Sequence, residues 1–410
     1  MKIAIFSDCY LDLTGGITSS INAQKQALED LGHTVYVFSS GYPRTKEELQ
    51  KLASRNIFKV PSCKFFFRGI TPISRRPDVV GKWLTKHHPE IQDFDVFYIH
   101  YEAGCSIAGM KLAKRCRIPI VQVMHGREDV GESNIVFIGF RTIVATLLNW
   151  LHSWYIPHKT IINRDNFLAT TTAKAKMWTI MVNHANYADI VLTPSDHFRQ
   201  KLIHYGVKKD IKVFPNGIAD ENFPKNPEVK KLEKRQTLRM IWHSRVSGEK
   251  RIMAFLQALR SLDGDYRLSV YGNGGDLSRA KRYVSRYNLN VVFHGNTDYR
   301  TITVKLPKSH LDILASYNFD TFGMTLIEAE SYGVPVFFCD PDMQEIVPSG
   351  SFVMSADPSP AAIAEALNDL LAHPERIEKM SQIMLKHRDE VLISNRIKAL
   401  VKIFNDIIKK

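Results

Sequence analysis

A strand-like apolar run, a glycine turn and a helix-spaced apolar pattern follow one another at the start of this chain, and the same order begins again near its middle. The first cycle is Lys2 to Ser7, then Gly15-Gly16, then Ile17, Ile21, Leu28 and Leu31, closed by Gly32 ahead of Thr34 to Ser39. Strand-like runs recur at Phe97 to Ile99, Ile120 to Val123 and Ile190 to Leu192, each followed by a helical pattern. Short, continuous apolar runs alternating with helices are the signature of strands buried on both faces, so this half predicts a doubly wound parallel sheet. The pattern restarts at Arg239 to Trp242 and continues through Arg267 to Tyr271, Gly272-Asn-Gly-Gly275, Val291 to Phe293, Leu311 to Leu314 and Val334 to Phe338. Two Rossmann-like α/β domains in tandem are the economical reading, residues 1–218 and 219–392. The polar segment Lys225 to Gln236, with Pro224 and Pro227 ahead of or within it, reads as the linker.

Composition narrows the classes. At 410 residues, 44% hydrophobic and 24% charged, the chain has apolar content for two cores, and disorder and fibrous repeats are excluded. Cys9, Cys63, Cys105, Cys116 and Cys339 are odd in number and lack C-x-x-C pairing, so reduced cytosolic thiols are expected rather than a disulfide framework or structural zinc. The opening residues show no signal-peptide pattern. The net charge of +13 is uneven: residues through Gly217 carry +10 and the remainder +3. A basic half beside a near-neutral half predicts one domain facing an anionic membrane surface or nucleic acid.

The segment Asn318 to Val336 concentrates the chemistry. A strand ends before it, Gly323 opens a helix, and Asp320 and Glu328 are separated by seven residues. Amides of Gly323, Met324 and Thr325 at that helix start suit an anionic leaving group. Upstream, Arg245 and Lys250 follow an apolar strand with four residues between them; two cations there neutralise a diphosphate, although such a pair on a loop is more often solvated surface. Gly16, between the first strand and its helix, lets a backbone amide approach a phosphate, or serves a plain tight turn. The full G-x-G-x-x-G fingerprint is absent, so a nicotinamide enzyme is not favoured. Asp93-Phe-Asp95, Asp263-Gly-Asp265 and Asp340-Pro-Asp342 read as turn residues rather than metal ligands, and no metal-binding histidine spacing or G-x-S-x-G elbow occurs.

These residues resemble the family-4 retaining glycosyltransferases, which carry a Glu at each end of the seven-residue spacing followed by Gly-x-Pro, here Gly333-Val-Pro335, with Asp320 in place of the first Glu. His125, in Met-His-Gly after a strand, matches the family's N-domain histidine facing the sugar. Asp95 to His100, Arg117 to Gly126, Glu128-Asp129, Ala188 to Ser195, Tyr205 to Val207 and Val213 to Ile218 look like the bacterial subgroup that glucosylates diacylglycerol, as does Gly15-Gly16-Ile-Thr-Ser-Ser-Ile. The resemblance implies the GT-B arrangement: two facing Rossmann-like domains, an interdomain cleft, and a last helix from about 393 to 410 returning to the first domain. It implies transfer of a hexose, glucose from UDP-glucose, with retention by front-face attack. Because cations and helix amides already face the diphosphate and no D-x-D sits in a plausible site, no metal or other cofactor is expected. His125, Arg245, Lys250 and Asp320 would be catalytic. Gly16, Gly323, Met324, Thr325 and Glu328 would bind the donor, with Glu328 on the ribose and Asp320 on the sugar.

Two N-terminal stretches bear on the acceptor. Lys59 to His88 contains seven basic residues, among them Lys64, Arg68, Arg75, Arg76 and Lys82, against one acid, with Phe65, Phe66, Phe67 and Trp83 interleaved. Ile143, Val144, Leu147, Leu148, Leu151, Trp154 and Tyr155 form one helical stripe opposite Thr146, Asn149 and Ser153. The plain alternatives are core packing for the stripe and a solvated loop for the basic stretch; taken together, the two predict a peripheral enzyme on the cytoplasmic face of a membrane, with a lipid acceptor such as diacylglycerol. The alternatives are a same-fold transferase acting on a soluble or polyprenyl-linked glycan, a GT-B sugar-nucleotide epimerase, and a basic nucleic-acid-binding protein. The last lacks a recognisable RNA motif or DNA-reading helix, and no nucleic-acid partner is expected.

Overall fold

The computed structural model describes residues 1–8, 10–11, 15–63, 74–130 and 138–409. The chain forms two compact units, Met1–Pro215 together with Arg396–Lys410, and Asn216–Asn395.

In the first unit the strands are β1 (Lys2–Ser7), β2 (Thr34–Ser39), β3 (Ile57–Lys59), β4 (Val96–Ile99), β5 (Ile120–Val123), β6 (Ile190–Thr193) and β7 (Ile211–Val213). They lie in the order β3-β2-β1-β4-β5-β6-β7, all neighbours parallel. The helices between them are α1 (Gly16–Asp30), α2 (Lys46–Ala53), α3 (Pro77–His87), α4 (Gly104–Cys116), α5 (Arg141–Ser153), α6 (Thr172–Tyr187) and α7 (Asp196–His204). Strands β4, β5 and β6 are buried at every residue, which explains why they read as mostly apolar runs. Phe6, Phe38 and Phe97 pack ring against ring at the centre of the sheet, with centroids 5.2 and 5.1 Å apart.

Asp8 follows β1 and is almost fully buried. Its carboxylate accepts from the amides of Cys105 (2.8 Å) and Ser106 (3.1 Å) and from the hydroxyls of Ser106 and Ser74 (both 2.9 Å). That is an anion seated on the amino end of α4, and it ties the helix to the strand edge. Burial pushes the Asp8 carboxyl above its usual range despite these four donors.

The second unit has β8 (Leu238–His243), β9 (Tyr266–Tyr271), β10 (Val291–Gly295), β11 (Leu311–Leu314), β12 (Val336–Phe338) and β13 (Phe352–Met354), in the parallel order β10-β9-β8-β11-β12-β13. Its helices include α8 (Ile252–Ala258), α9 (Leu277–Tyr287), α10 (Tyr299–Lys305), α11 (Met324–Ser331), α12 (Pro360–Ala372) and α13 (Glu375–His387). A last helix, α14 (Ile393–Ile408), belongs from Arg396 onward to the first unit, where the Phe404 ring meets Tyr98 edge-on at 5.2 Å.

The strand-like runs appear as strands with ends moved by a residue or two, while β3, β7 and β13 add short strands that the sequence pattern does not announce. The Lys225–Gln236 segment holds no helix or strand, but it is not a loose tether. Leu232 enters the second unit's core, and the Lys230 amide donates to Ser381 Oγ at 2.8 Å.

Gly109 in α4 faces the Phe6 ring, and a β-carbon there would lie 2.7 Å from it. Glycine inside a helix ordinarily costs roughly 0.5–1 kcal/mol relative to alanine. The sign reverses here, because the ring is locked among other aromatics. Gly109→Ala is expected to destabilise the first unit by about 1–3 kcal/mol, measured as a lower urea midpoint with unchanged slope.

Candidate functional site

The chemistry of the second unit gathers where β8 and β11 end. The turn after β8 lies directly against the glycine loop after β9. A β-carbon on Gly272, whose φ is +140°, would sit 2.1 Å from the Ser244 carbonyl oxygen, and one on Gly274 would sit 2.3 Å from that of Val246. Only glycine permits this approach, and it fixes the turn that carries Arg245.

Arg245 and Lys250 are not equivalent there. The Arg245 side chain is 60% exposed, with Nη2 3.1 Å from Glu249 Oε1; Ser247 Oγ donates to the same oxygen at 2.6 Å. Lys250 is nearly buried, and its Nζ grips both oxygens of Asp320 at 2.7 and 2.9 Å. Ser316 Oγ also donates to Asp320, and the Phe319 ring lies 5.3 Å from Nζ. Two residues assigned to different parts of the donor thus stand in direct contact.

Gly323 adopts the left-handed conformation (φ +69°) and starts α11 without a capping side chain. Met324 and Thr325 form the first turn. Thr325 Oγ1 is buried there and finds no hydrogen-bond partner among the described residues. A polar hydroxyl left open beside the positive end of a helix is what an anionic or hydroxyl-bearing ligand requires.

One turn along α11, Glu328 Oε2 lies 3.4 Å from His243 Nδ1, and the opposite nitrogen of that ring lies 3.2 Å from Asp312 Oδ1. Burial pushes the Glu328 carboxyl up to about 7, with His243 opposing and Asp312 reinforcing the rise. For His243, burial presses the imidazole down, but the two carboxylates outweigh it and its pKa is raised. His243 and Asp312 were not among the residues singled out from sequence. The available signal was an aspartate inside the apolar run Leu311-Asp-Ile-Leu314.

In the first unit, Gly16 opens α1 after an extended Gly15, again with no side-chain cap. His125 follows β5, and its Nε2 lies 2.8 Å from Nδ1 of His100, the residue that follows β4. Burial lowers His125 to about 4 and His100 well below its ordinary value, so both rings are neutral at pH 7 and one must donate to the other. Arg127 and Asp129 form a buried ion pair nearby in sequence, at 2.6 Å.

The acceptor-side expectations are partly revised. Lys64, Arg68 and Phe65 to Phe67 lie outside the described residues. Arg75, Arg76 and Lys82 are exposed. Trp83 is not free for a membrane: it packs on the sheet core and against His87 and His88, with centroids 5.3 and 5.2 Å away. Lys82 instead lines a groove between α3 and α4 with Lys111, Lys114, Arg115 and Tyr187.

The stripe on α5 also differs. Ile143, Leu147, Leu148 and Leu151 face outward, joined by Phe140, Trp150 and Trp154, and the two tryptophans meet edge-on at 4.2 Å. Val144 and Tyr155 are half-buried. Ala145 and His152 point inward, and Asn149 donates to the Lys176 carbonyl at 3.0 Å. A helix that turns small and polar residues to the core and tryptophan to water inverts the globular pattern. Among the D-x-D strings, Asp95 accepts from the Lys2 amide (2.6 Å) and Asp340 from the Asn318 amide (2.6 Å), as turn residues do. No helix of the described residues is long and apolar enough to cross a membrane.

Residues 14–222 match Glycosyltransferase Family 4, and residues 224–387 match Glycosyl transferases group 1. The chain belongs to the family-4 glycosyltransferases. It is 24% identical over 352 residues to an alpha-monoglucosyldiacylglycerol synthase of Streptococcus pneumoniae, covering 82% of this chain and 70% of that one. Over 166 residues it is 29% identical to the lipopolysaccharide 1,6-galactosyltransferase of Escherichia coli, covering 38% of this chain and 45% of that one. Among solved structures, Anabaena HepE in complex with UDP superimposes with a TM-score of 0.70 at 15% identity, covering 99% of this chain and 100% of that one. The fold of this glycosyltransferase is GT-B, built from two Rossmann-like parallel-sheet units.

Proposed function

We propose that this glycosyltransferase moves a hexose, glucose from a UDP-sugar, to a membrane lipid acceptor such as diacylglycerol, with retention at the anomeric carbon. The outward apolar face of α5 carries the lipid reading. Ile143 is 64% exposed and Trp154 59%, an expense in water that an interfacial site removes. The cations adjoin it. Tyr155, just past α5, contacts Arg76, and Lys111 of the basic groove stands 5.4 Å from the same ring. A basic rim beside an apolar helix suits the cytoplasmic leaflet of a cell membrane, whose anionic lipids attract each Lys or Arg by about 1 kcal/mol. The diacylglycerol-acting relative agrees with this acceptor. The second reading, a glycan acceptor, is supported by the higher identity to the lipopolysaccharide galactosyltransferase over a shorter span.

On the donor side, Arg245 meets the departing diphosphate as an exposed guanidinium, and the amino end of α11 with the Thr325 hydroxyl receives its oxygens. Gly16 offers a further amide. Lys250 holds Asp320 aimed, gripping both of its oxygens, so that its carboxylate takes the sugar hydroxyls, while Glu328 takes those of the ribose. His125, neutral at physiological pH, hydrogen-bonds a sugar hydroxyl without carrying charge into the site. Charge on the leaving group is met by side chains and amides of the protein itself, and we assign no metal or other cofactor to the step.

Mass spectrometry of products from mixed lipids and a panel of nucleotide sugars tests the acceptor and donor directly: a hexosylated neutral lipid is expected, and a glycan product overturns the lipid reading. Arg245→Ala and Lys250→Ala should each lower turnover at saturating donor by about 10²–10³-fold, with a melting curve to confirm the Lys250 variant is folded, since Asp320 loses its partner. Turnover should survive EDTA undiminished; full inhibition reversed by magnesium or manganese refutes the metal-free assignment. Reversing Arg75, Arg76 and Lys82 to Glu, or changing Trp150 and Trp154 to Ser, should abolish sedimentation with anionic vesicles while leaving UDP affinity unaltered.

A further inference from the structure

Asp312 occupies a costly position. It lies in the middle of β11, paired in register with Ile241 of β8 and Val336 of β12, and it is fully buried. No backbone amide or hydroxyl among the described residues reaches either of its oxygens. An isolated carboxylate there would be strongly unfavourable, and an apolar residue would pack the strand equally well. Its contact is the His243 ring at 3.2 Å, and the other side of that ring faces Glu328 at 3.4 Å. Three elements, β8, β11 and α11, therefore contribute one residue each to a line of anion, imidazole and anion. The two outer residues differ in accessibility. The Asp312 side chain is closed off, at 0% exposure, whereas that of Glu328 retains 14%.

We propose that His243 is a positioning residue for the nucleotide, a clamp anchored on Asp312 that orients the Glu328 carboxylate and keeps it charged toward the ribose hydroxyls. The inference rests on the assignment of Glu328 to the ribose. The groups around the clamp fix the sense of its pH response. His243 is faced by Asp312 and Glu328, which favour its proton, and by Lys250, which opposes it. Glu328 is faced by His243 and Asp312, and by the hydroxyl-bearing rings of Tyr299 on α10 and Tyr332 just after α11. Protonation of Glu328 on the acid side removes the acceptor for two hydroxyls. Loss of the His243 proton on the alkaline side leaves two buried carboxylates around a neutral ring and releases the orientation. Nucleotide affinity therefore peaks between the two.

Calorimetric titration of UDP from pH 5.5 to 9.5 reads both limbs, with 2′,3′-dideoxy-UDP as the control that carries the same diphosphate. UDP should show an acid and an alkaline limb, and the dideoxy nucleotide neither beyond the titration of its own phosphates. In His243→Gln the alkaline limb should vanish and the acid limb move up by about one pH unit or more, because a cation next to Glu328 is gone. In Asp312→Asn the alkaline limb should move to lower pH, since His243 loses the anion that most favours its proton. Glu328→Gln should weaken UDP by roughly tenfold and flatten the acid limb. If Glu328→Gln behaves so while His243→Gln and Asp312→Asn keep the native profile, the clamp is overturned and the ribose assignment stands. If Glu328→Gln leaves UDP binding native, both fall. Should His243→Gln fail to fold, the alkaline shift in Asp312→Asn decides alone.

Discussion

A parallel sheet sends every strand out at the same edge, and the rest of this molecule is organised by that constraint. Strands buried on both faces have no room for polar side chains along most of their length, so polar chemistry is displaced to the residues that follow them. Asp8 follows β1, His100 follows β4 and His125 follows β5 within two residues; His243 ends β8, and Ser316 follows β11 within two. The same edge meets the amino ends of the succeeding helices, where backbone amides are unpaired. Asp8 shows the result inside the fold, as a carboxylate seated on α4. Gly323 and Thr325 present the same kind of terminus with its polar groups left open.

Buried charge is handled in three ways, and the differences sort structure from function. Asp8 is satisfied by four neutral donors and has no oxygen to spare for a ligand. Arg127 and Asp129 neutralise each other two residues apart, with side chains 3% and 0% exposed. The second unit is less economical. Lys250 and Asp320 are both held just inside the surface, at 11% and 13% exposure, while Glu328 is kept near its titration point. Groups that a fold would ordinarily neutralise completely are left part-way, the condition under which a carboxylate binds hydroxyls strongly.

Much of this was legible from sequence, for reasons that can be named. Strands of four residues or more announced themselves because burial leaves a short, mostly apolar run. Ile57–Lys59, Ile211–Val213 and Phe352–Met354 did not, since three residues alone carry no period, whereas Val336–Phe338 stood out as part of the longer apolar run Val334 to Phe338. The seven-residue interval from Asp320 to Glu328 was readable because a turn and one helical turn set it locally. The contacts of His243 were not, for Asp312 and Glu328 lie 69 and 85 positions further along the chain and only the sheet brings them together. The α5 stripe teaches a narrower lesson. Helical spacing groups residues on one face but says nothing about whether that face meets core or water: Val144 and Tyr155 of the stripe turned half-buried, and Trp150, which the stripe did not include, joined the exposed face. Trp83 failed likewise, because a tryptophan among basic residues reads the same whether it stacks on histidines or reaches outward.

The last helix changes how the molecule can be taken apart and made. Residues from Arg396 onward complete the first unit, where Phe404 closes over Tyr98, although the chain reaches them only after building the second. Topologically the second unit is therefore an insertion within the first. A single cut between the two matches to the family removes the second sheet together with a piece of the first core, so neither unit can be excised cleanly with one break. On the ribosome the order of completion is inverted as well: the domain begun first acquires its final helix last, after the inserted domain has left the exit tunnel. Throughout that interval the apolar surface around Tyr98 waits uncovered, a stage at which a chaperone has something to hold.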